Sequence, residues 1–405
     1  MDKSAFENSP VGTLVPIKGF DQLLKREYTH HAFVPAPLPA IVPLEQATYK
    51  AVTDAALAVG RLDAAAQQLP NPSLLVRPVL YREAVSTSAL EGTYAPLREV
   101  LEADAVEPSR GTYEVREILN YVRAAELAIE LVEEKPICVS LLSRLQKVLV
   151  TGTRGDGFDS GRLRSGQVYI GERHKGIEAS RYVPPPEGAP LQDGMSDWEK
   201  WLHQEDDIPL LVRVALTHYQ FESLHPYSDG NGRLGRLIIV LQLVTAGALC
   251  HPILNLSPWL EARKDAYKDC LLAVSQTGDF NAWVRFFSEA VVAQAADTIA
   301  RISRLVEIRA FMLERLRQDK ARGVVLEIVE DLIGYPIITP TQAASLHHVT
   351  YPPANSAIQK LQALGLVVEI TGNSYGRVYA CPSVMEAVET LDASSLAGAP
   401  VLPEH

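Results

Sequence analysis

Two apolar segments flank a loop rich in glycine and charged residues, and this arrangement constrains the fold more than any other part of the sequence. The first segment, residues 210–224, carries apolar side chains at helical spacing. Pro226 and the run Ser228–Asp229–Gly230 end that helix. The second segment, residues 234–246, is apolar on nearly all sides, which predicts a buried helix. The sequence therefore predicts a tight loop that leads into the start of a buried helix.

The stretch from residue 225 to residue 236 contains groups suited to binding a polyphosphate. The first turn of a helix presents unpaired backbone N–H groups, and the helix dipole favours an anion there. Gly230 and Gly232 carry no Cβ, so the backbone can come close to a ligand. Arg233 and Arg236 are placed so that both side chains can reach phosphate oxygens from one face of the helix.

Two other side chains of the same stretch give it a reactive character. His225 can accept a proton near neutral pH. Asp229 is a hard oxygen ligand, suited to a Mg²⁺ ion held between the protein and phosphates. A base, a metal-binding carboxylate and two arginines in one loop indicate phosphoryl-type transfer from a nucleotide.

The same stretch closely resembles the signature of the Fic family, H-P-F-x-D-G-N-G-R-x-x-R. Each position matches except Tyr227, where the family usually has Phe. Tyr should pack in the same way if its hydroxyl finds a partner. Members of the family mostly transfer AMP from ATP to a hydroxyl side chain of a target protein. The Gly-Asn-Gly-Arg form differs from the Doc-like kinase branch, which departs from the motif at this point.

The resemblance implies a role for each matching residue. His225 would be the general base, and Asp229 would be the Mg²⁺ ligand. The phosphate site would consist of Gly230, Asn231, Gly232, Arg233 and Arg236. The expected reaction is therefore transfer of AMP from Mg–ATP to a Ser, Thr or Tyr side chain of a target protein and of the chain itself. Use of another nucleotide, or removal of AMP, stays open.

A second resemblance lies upstream, at the end of a helix predicted over residues 81–90. Thr87-x-x-x-Glu91-Gly92 matches the inhibitory motif of the same family, [S/T]-x-x-x-E-[G/N]. The alternative interpretation is a solvated glutamate that precedes a glycine helix cap. The resemblance implies that Glu91 pairs with Arg236 and takes that arginine away from the terminal phosphate of ATP. The nucleotide would then bind with its phosphates misaligned for attack.

The chain is predicted to be mainly α-helical and to contain more than one domain. An N-terminal region, residues 1–110, would begin with an irregular, proline-rich arm over residues 1–42. The Fic core would cover residues 111–296. Within it, residues 163–186 predict two short strands and resemble the Fic flap, a β-hairpin that holds an extended segment of the target. Further helices are predicted over residues 44–68, 110–134, 136–150, 259–274, 280–296 and 298–318.

The C-terminal part is predicted to form a linker helix over residues 297–321 and a winged helix-turn-helix domain over residues 322–382. The predicted order of three helices followed by a hairpin is that of a winged helix-turn-helix. It also resembles the C-terminal domain of many long Fic proteins. Its acidic residues outnumber its basic ones, which favours an interaction role over DNA binding. A short helix and a disordered tail are expected over residues 383–405. A winged-helix regulator whose Fic core only senses nucleotide is the alternative of a different class.

Net charge and cysteine spacing indicate which classes of partner and which cellular compartment to expect. The net charge of −11 disfavours general binding to nucleic acids or anionic membranes. The four cysteines are scattered without metal-binding spacing, and the N-terminus does not have the pattern of a signal peptide. We therefore expect a cytoplasmic protein without a membrane span. A homodimer is left open.

Overall fold

The computed structural model describes residues 1–21, 24–68, 71–106, 111–372 and 375–389 of the chain. The predicted helix start at residue 110, the turn at residues 373–374 and most of the predicted tail, residues 390–405, lie outside the described residues. Over the described part the protein is mainly α-helical, as the sequence predicts. None of the helices in these ranges is long and apolar enough to cross a membrane.

The helices and strands of the described ranges are numbered in chain order. The α-helices are α1 (Gln46–Ala66), α2 (Ser73–Leu90), α3 (Leu97–Val106), α4 (Tyr113–Val132), α5 (Val139–Val150), α6 (Ala189–Leu202), α7 (Leu210–Leu224), α8 (Asn231–Thr245), α9 (Ser257–Glu261), α10 (Lys264–Thr277), α11 (Phe280–Gln318), α12 (Val325–Asp331), α13 (Pro340–Leu346), α14 (Tyr351–Ala363) and α15 (Pro382–Glu389). The strands are β1 (Gly12–Asp21), β2 (Arg26–Pro35), β3 (Ile337–Ile338), β4 (Val368–Glu369) and β5 (Tyr379–Ala380).

The chain divides into two compact units. Unit 1 comprises Met1–Leu57, Asn120–Ala248 and Trp259–Val292. Unit 2 comprises Ala58–Leu119, Leu249–Pro258 and the chain from Ala293 onward. The predicted loop between α7 and α8 therefore belongs entirely to unit 1. The domain bounds expected from the sequence stay predictions.

The prediction of an irregular arm over residues 1–42 is wrong, because β1 and β2 form a regular antiparallel hairpin there. Phe33 and Ala32 of β2 are fully buried, and Phe33 donates its backbone N–H to Val183 O over 2.9 Å. Pro16 lies inside β1, which is an edge strand of this two-stranded sheet. An edge strand tolerates proline because the missing N–H need not pair. The prolines therefore did not exclude a strand.

The two predicted strands of the segment 163–186 are also not found, and this part of the prediction is corrected. The segment has one isolated antiparallel bridge, between Ile170 and Tyr182. Between these residues the chain forms two short 3₁₀ helices, and Gly171 and Gly176 have positive φ angles of 156° and 77°. These turns shorten the stretch over which two strands can pair. The segment is a loop closed by a single bridge, not a regular hairpin.

Two predicted helix boundaries differ from the structure. The helix expected over residues 259–274 is split into α9 and α10, with Arg263 as the N-cap of α10. The helices expected over residues 280–296 and 298–318, the second of which includes most of the predicted linker helix, form one helix of 39 residues, α11. Asp297 accepts hydrogen bonds from Arg301 one turn later, which favours continuation of the helix across the expected break.

Unit 2 contains a charged cluster with little exposure to solvent. Asp297 contacts both Arg82 and Arg301, and the side chains of Arg82 and Asp297 are each 12% exposed. Arg301 also donates to the carbonyls of Ala387 and Val388, both over 2.8 Å. Because Arg82 lies on α2 and the two carbonyls lie on α15, this cluster joins α2 to the C-terminal helix within unit 2.

The three helices and the later pair of strands predicted for the C-terminal part occur in the expected order, but the structure adds a strand, β3, between α12 and α13. Helices α12, α13 and α14 are accompanied by three short strands in the order β3-β5-β4, each pair antiparallel. Thr339 caps α13 as expected, since its Oγ accepts the backbone N–H of Gln342 over 3.1 Å. Assignment of these elements to the winged-helix class stays a prediction.

Candidate active site

The helices on either side of the loop 225–230 fix its position within unit 1. Helix α7 ends at Leu224, as the sequence predicts, and almost all of its side chains are buried. Helix α8 begins at Asn231, one turn earlier than expected. Gly232 and Arg233 therefore belong to the first turn of α8, where backbone N–H groups favour an anion.

His225 has an unusual backbone conformation. It caps α7 in the left-handed region, with φ 45° and ψ 62°. Few residues other than glycine adopt such angles, and the cost is of order 1 kcal/mol or more. The backbone N–H of His225 donates to Phe221 O over 3.0 Å, which ties the residue to the last turn of α7. The chain thus turns sharply at the residue for which the sequence predicts a proton-accepting role.

Asn231 holds the loop closed. Its Oδ1 accepts the backbone N–H of Tyr227 over 2.8 Å, and its Nδ2 donates to the carbonyl of Tyr227 over 2.7 Å. The Asn231 side chain is 2% exposed. These two hydrogen bonds fix both the distance of the Tyr227 backbone from the start of α8 and its orientation. The side chain of Asn231 thus shapes the loop, whereas the resemblance placed the residue in the phosphate site.

Tyr227 is completely buried, and its hydroxyl lies 3.2 Å from Ser143 Oγ. We expected Tyr227 to pack as the usual Phe does, provided that its hydroxyl finds a partner. This prediction is confirmed, because the ring is buried and the hydroxyl has a partner in Ser143. Burial raises the pKa of Tyr227 above its ordinary value, so the hydroxyl stays neutral at physiological pH. The aromatic ring anchors the centre of the loop in the core.

Gly230 ends the loop with a left-handed conformation, φ 86°, and is the N-cap of α8. A Cβ at this position would lie 2.8 Å from Leu149 Cδ2, and the positive φ would strain any other residue. Glycine is therefore required both by the backbone angle and by the close approach of α5. The first turn of α8 starts from this fixed point.

Asp229 is the acidic residue of the loop, and 38% of its side chain is accessible to solvent. Its Oδ1 accepts the backbone N–H of Gly230 over 2.8 Å, and its Oδ2 lies 3.5 Å from Arg233 Nη2. Gln146 donates from Nε2 to the Asp229 carbonyl over 3.1 Å. A Cβ at Gly155 would collide with the Asp229 carboxylate. The carboxylate is thus oriented from several sides while one part faces solvent.

Arg233 and Arg236 lie on α8 and are almost fully buried, 1% and 5% exposed. The two guanidinium groups bring positive charge to the N-terminal end of α8, where the helix dipole already favours an anion. The region can therefore bind a highly charged anion such as a polyphosphate.

A buried cluster of rings packs around His218 of α7, the helix that precedes the loop. His218 Nε2 lies 2.7 Å from Tyr267 Oη, and the imidazole stacks on Tyr267 and Trp283 with ring centroids 6.0 Å away in each case. Burial lowers the pKa of His218 to about 3, so this histidine is neutral at pH 7. Gly235 of α8 faces His218, where a Cβ would lie 3.2 Å from the ring. Tyr267 is therefore a core residue paired with histidine.

Arg263, one turn before Tyr267, lies with its guanidinium 4.3 Å from the centre of the Trp259 ring. Such a cation–π contact accounts for the position of the arginine on the protein surface.

Arg164 was not singled out by the sequence, yet it contacts the loop directly. Its backbone N–H donates to Pro226 O, and its Nε donates to His225 O, both over 2.9 Å. The residue is 2% exposed. The signal available in the sequence was a charged residue in the β-like run 163–170. Its burial could not be predicted without the fold.

Glu91 belongs to unit 2, whereas the loop belongs to unit 1. Glu91 is exposed at the end of α2, and Gly92 after it has φ 93°. The N–H of Thr93 donates to Ser88 O over 3.0 Å, which completes a glycine-capped helix end. Both interpretations of this stretch therefore include a glycine cap. The pairing of Glu91 with Arg236 stays a prediction.

Two family models and a crystal structure match parts of this chain. Residues 49–130 match the model described as "Fic/DOC family N-terminal", and residues 136–243 match the model described as "Fic/DOC family". A crystal structure of a Fic family protein from Desulfovibrio desulfuricans G20 has the same fold, with a TM-score of 0.54 at 20% identity; the match covers 85% of this chain and 98% of that one.

Two curated relatives carry the name of an enzyme. "Protein adenylyltransferase fic-1" of Caenorhabditis elegans is 27% identical over 222 residues, which cover 53% of this chain and 40% of the relative. "Protein adenylyltransferase Fic" of Drosophila yakuba is 27% identical over 257 residues, which cover 60% of this chain and 48% of the relative. The chain thus spans less than half the length of these relatives. Both family models match in order, and the loop 225–236 lies at the start of a buried helix, so residues 49–130 and 136–243 of this chain carry the two domains of the Fic/DOC family.

Proposed function

We propose that this chain is a protein adenylyltransferase, which moves AMP from Mg–ATP to a hydroxyl side chain of a target protein. The observation that carries the proposal is the loop 225–236. It joins a histidine, an exposed carboxylate, a helix N-terminus and two buried arginines in one fixed turn. The names of the matched relatives support the same activity.

In the proposed reaction, His225 accepts the proton of a Ser, Thr or Tyr hydroxyl as its oxygen attacks the α-phosphorus of ATP. The new bond joins that oxygen to the AMP phosphorus. The bond between the α-phosphorus and the bridging oxygen breaks, and pyrophosphate leaves with the electron pair. The N-terminal turn of α8, with Arg233 and Arg236, would bind the negative charge of the phosphates.

Asp229 fits the role of a Mg²⁺ ligand. Mg²⁺ is commonly held by one or two carboxylates together with substrate phosphates, and Asp229 offers an exposed carboxylate next to the anion site. Among the described residues there is no group of three or more His, Cys, Asp or Glu side chains that could hold a metal without a substrate. A bound Mg²⁺ would neutralise phosphate charge.

Inhibition by Glu91 belongs to the same proposal. The motif Thr87–Gly92 places the carboxylate at an exposed helix end in unit 2. A guanidinium that pairs with a carboxylate has fewer donors left for a phosphate, because both ligands use the same planar fork. Pairing with Arg236 would keep the basal rate low, and release of Glu91 would raise it. Self-modification is expected once the inhibition is removed.

The proposal is tested by incubating the protein with ATP labelled either at the α- or at the γ-phosphate. Label from α-phosphate only is expected on the chain and on target proteins in a lysate, because AMP is retained and pyrophosphate is released. His225→Ala should abolish labelling while ATP still binds, and Asp229→Ala should abolish it even with excess Mg²⁺. Label from γ-phosphate would mean a kinase, and normal labelling by His225→Ala would refute the assigned base.

Two variants test the inhibitory part separately. Glu91→Gly should raise self-labelling by about tenfold or more, since a competing ion pair of a few kcal/mol is removed. Adding Arg236→Ala should cancel that gain. If the double variant labels as strongly as Glu91→Gly alone, the two residues do not compete, although the transferase activity itself would stand.

The alternative of a regulator that only senses nucleotide is tested with the same reagents. Such a protein would bind ATP and release it unchanged, with no label on any protein. The alternative of AMP removal predicts loss of label from a modified target instead.

A further inference from the structure

Arg164 is a buried cation whose partners are backbone carbonyls. Its Nε donates to His225 O over 2.9 Å, and one Nη donates to Gly166 O over 3.1 Å. The other Nη donates to Pro185 O, with a longer contact of 3.5 Å to Leu224 O. Burial lowers the pKa of Arg164 to about 10, so the side chain is still protonated at physiological pH.

Burial of this charge needs an explanation, because a charged group that leaves water loses much solvation energy. Arginine offsets that cost when its donors all find acceptors of suitable geometry. Here the planar guanidinium is surrounded by carbonyls from three parts of the chain. Such a group fixes the relative positions of those three parts.

The first of these parts contains His225, which has the left-handed φ of 45°. The backbone N–H of His225 is held by Phe221 O, and its carbonyl is held by Arg164 Nε. The next residue, Pro226, also bonds to Arg164, since its carbonyl accepts the Arg164 N–H over 2.9 Å. With both peptide groups anchored, the direction in which the His225 side chain leaves the backbone is set.

The other two parts are the ends of the segment 166–185, which lies within residues 163–186, the stretch whose sequence resembles the Fic flap. Gly166 lies at its start and Pro185 at its end, and both carbonyls accept hydrogen bonds from the same guanidinium that holds His225. The ends of this segment and the His225 backbone are therefore connected through one side chain within unit 1.

We propose that Arg164 is a positioning residue for His225: it holds the backbone of the proposed base in its left-handed conformation and ties it to both ends of the segment 166–185. This proposal rests on the function proposed above. Its consequence is that loss of Arg164 slows the chemical step more than it weakens nucleotide binding, because the anion site on α8 stays in place.

Arg213 provides a matched control in the same unit. It lies at the opposite end of α7, its side chain is 13% exposed, and it donates to the Trp201 carbonyl over 2.9 Å and pairs with Asp206. Like Arg164, it has low exposure and bonds to the backbone, but its partners Trp201 and Asp206 lie outside the loop 225–236. Arg213→Met should lower the melting temperature without changing the rate per folded molecule.

The kinetic test compares Arg164→Met, Arg164→Lys and Arg213→Met in the labelled-ATP assay. Arg164→Met should lower kcat by about 100-fold, the size of effect that a small misplacement of a reacting group produces, with ATP affinity within about twofold of wild type. Arg164→Lys keeps the charge and can reach some of the carbonyls, so it should restore part of kcat. A loss confined to melting temperature, equal for Arg164→Met and Arg213→Met, would overturn the proposal.

A second readout does not depend on activity. Histidines labelled with ¹³C at Cε1 give separate NMR signals, and the His225 signal is identified by its loss in His225→Ala. The His225 signal should shift in Arg164→Met, less in Arg164→Lys, and stay in place in Arg213→Met. An unshifted His225 signal in both Arg164 variants refutes the positioning role even if the wild type transfers no AMP, whereas absence of transfer alone counts only against the proposed function.

Discussion

The buried histidine behind the loop makes the stability of unit 1 depend on pH. His218 is 1% exposed, lies 2.7 Å from Tyr267 Oη and stacks on two aromatic rings. Its pKa is lowered from 6.5 to about 3, mainly by burial, with a smaller contribution from the charge of Arg236. A proton therefore binds more tightly to His218 in the unfolded chain than in the folded one.

The sign and the size of the effect follow from this difference. Above pH 6.5, His218 is neutral in both states and contributes no pH dependence. As the pH falls below 6.5, the unfolded chain takes up the proton first, so folded stability is lost progressively down to about pH 3. Each pH unit within this window is worth about 1.4 kcal/mol, which gives a loss of about 2 kcal/mol at pH 5.

The assay is urea unfolding, followed by tryptophan fluorescence, at pH 7.5 and pH 5. His218→Gln has no titratable group at this site and keeps a hydrogen-bonding side chain. The wild type should lose about 2 kcal/mol more unfolding free energy between the two pH values than His218→Gln does. The exposed His174 serves as the control, and His174→Gln should behave as the wild type does. Equal losses in wild type and His218→Gln would refute the reasoning.

Three other predictions concern the loop and the charged cluster of unit 2. Asn231→Ala removes two hydrogen bonds that close the loop, and it should lower unfolding free energy by about 2 kcal/mol and reduce AMP transfer; undiminished transfer would count against its shaping role. Gly155→Ala should displace the Asp229 carboxylate and raise the Mg²⁺ concentration needed for half-maximal transfer, whereas Gly157→Ala, whose Cβ would lie 3.6 Å from its nearest neighbour, should not. Asp297→Asn removes the carboxylate that contacts both Arg82 and Arg301, two side chains of low exposure, so we expect a loss of about 3 kcal/mol in a melting experiment, and an unchanged melting temperature would contradict that.

The parts of the site that the sequence revealed are those in which local chemistry and local structure agree. The helix ending at Leu224 and the buried helix that follows the loop were predicted from apolar periodicity and from the turn residues between them, although α8 begins at Asn231 and not at residue 234. Thr339 was found as a cap for the same reason, because a cap is defined by residues a few positions apart.

The parts that the sequence did not reveal depend on contacts between distant residues. The hairpin β1–β2 was not predicted, because prolines are uncommon in strands. It is stabilised by the burial of Phe33 and by a hydrogen bond to Val183, two distant contacts that the local sequence does not indicate. Arg164 was not identified, because its sequence neighbours do not indicate which carbonyls its side chain contacts, and these lie from 2 to 61 positions away. The segment 163–186 was expected to form strands from its β-branched and aromatic residues, but its turns left one bridge.

The most direct test of the central claim is the intact mass of the protein after incubation with Mg–ATP. The Glu91→Gly protein is used, since we expect it to modify itself faster than the wild type, and Glu91→Gly combined with His225→Ala is its control. We expect a mass increase equal to one or more AMP groups in the first protein, none in the control, and release of pyrophosphate in step with the increase. An increase equal to a phosphate group, or an AMP adduct of equal yield in the His225→Ala control, would contradict it.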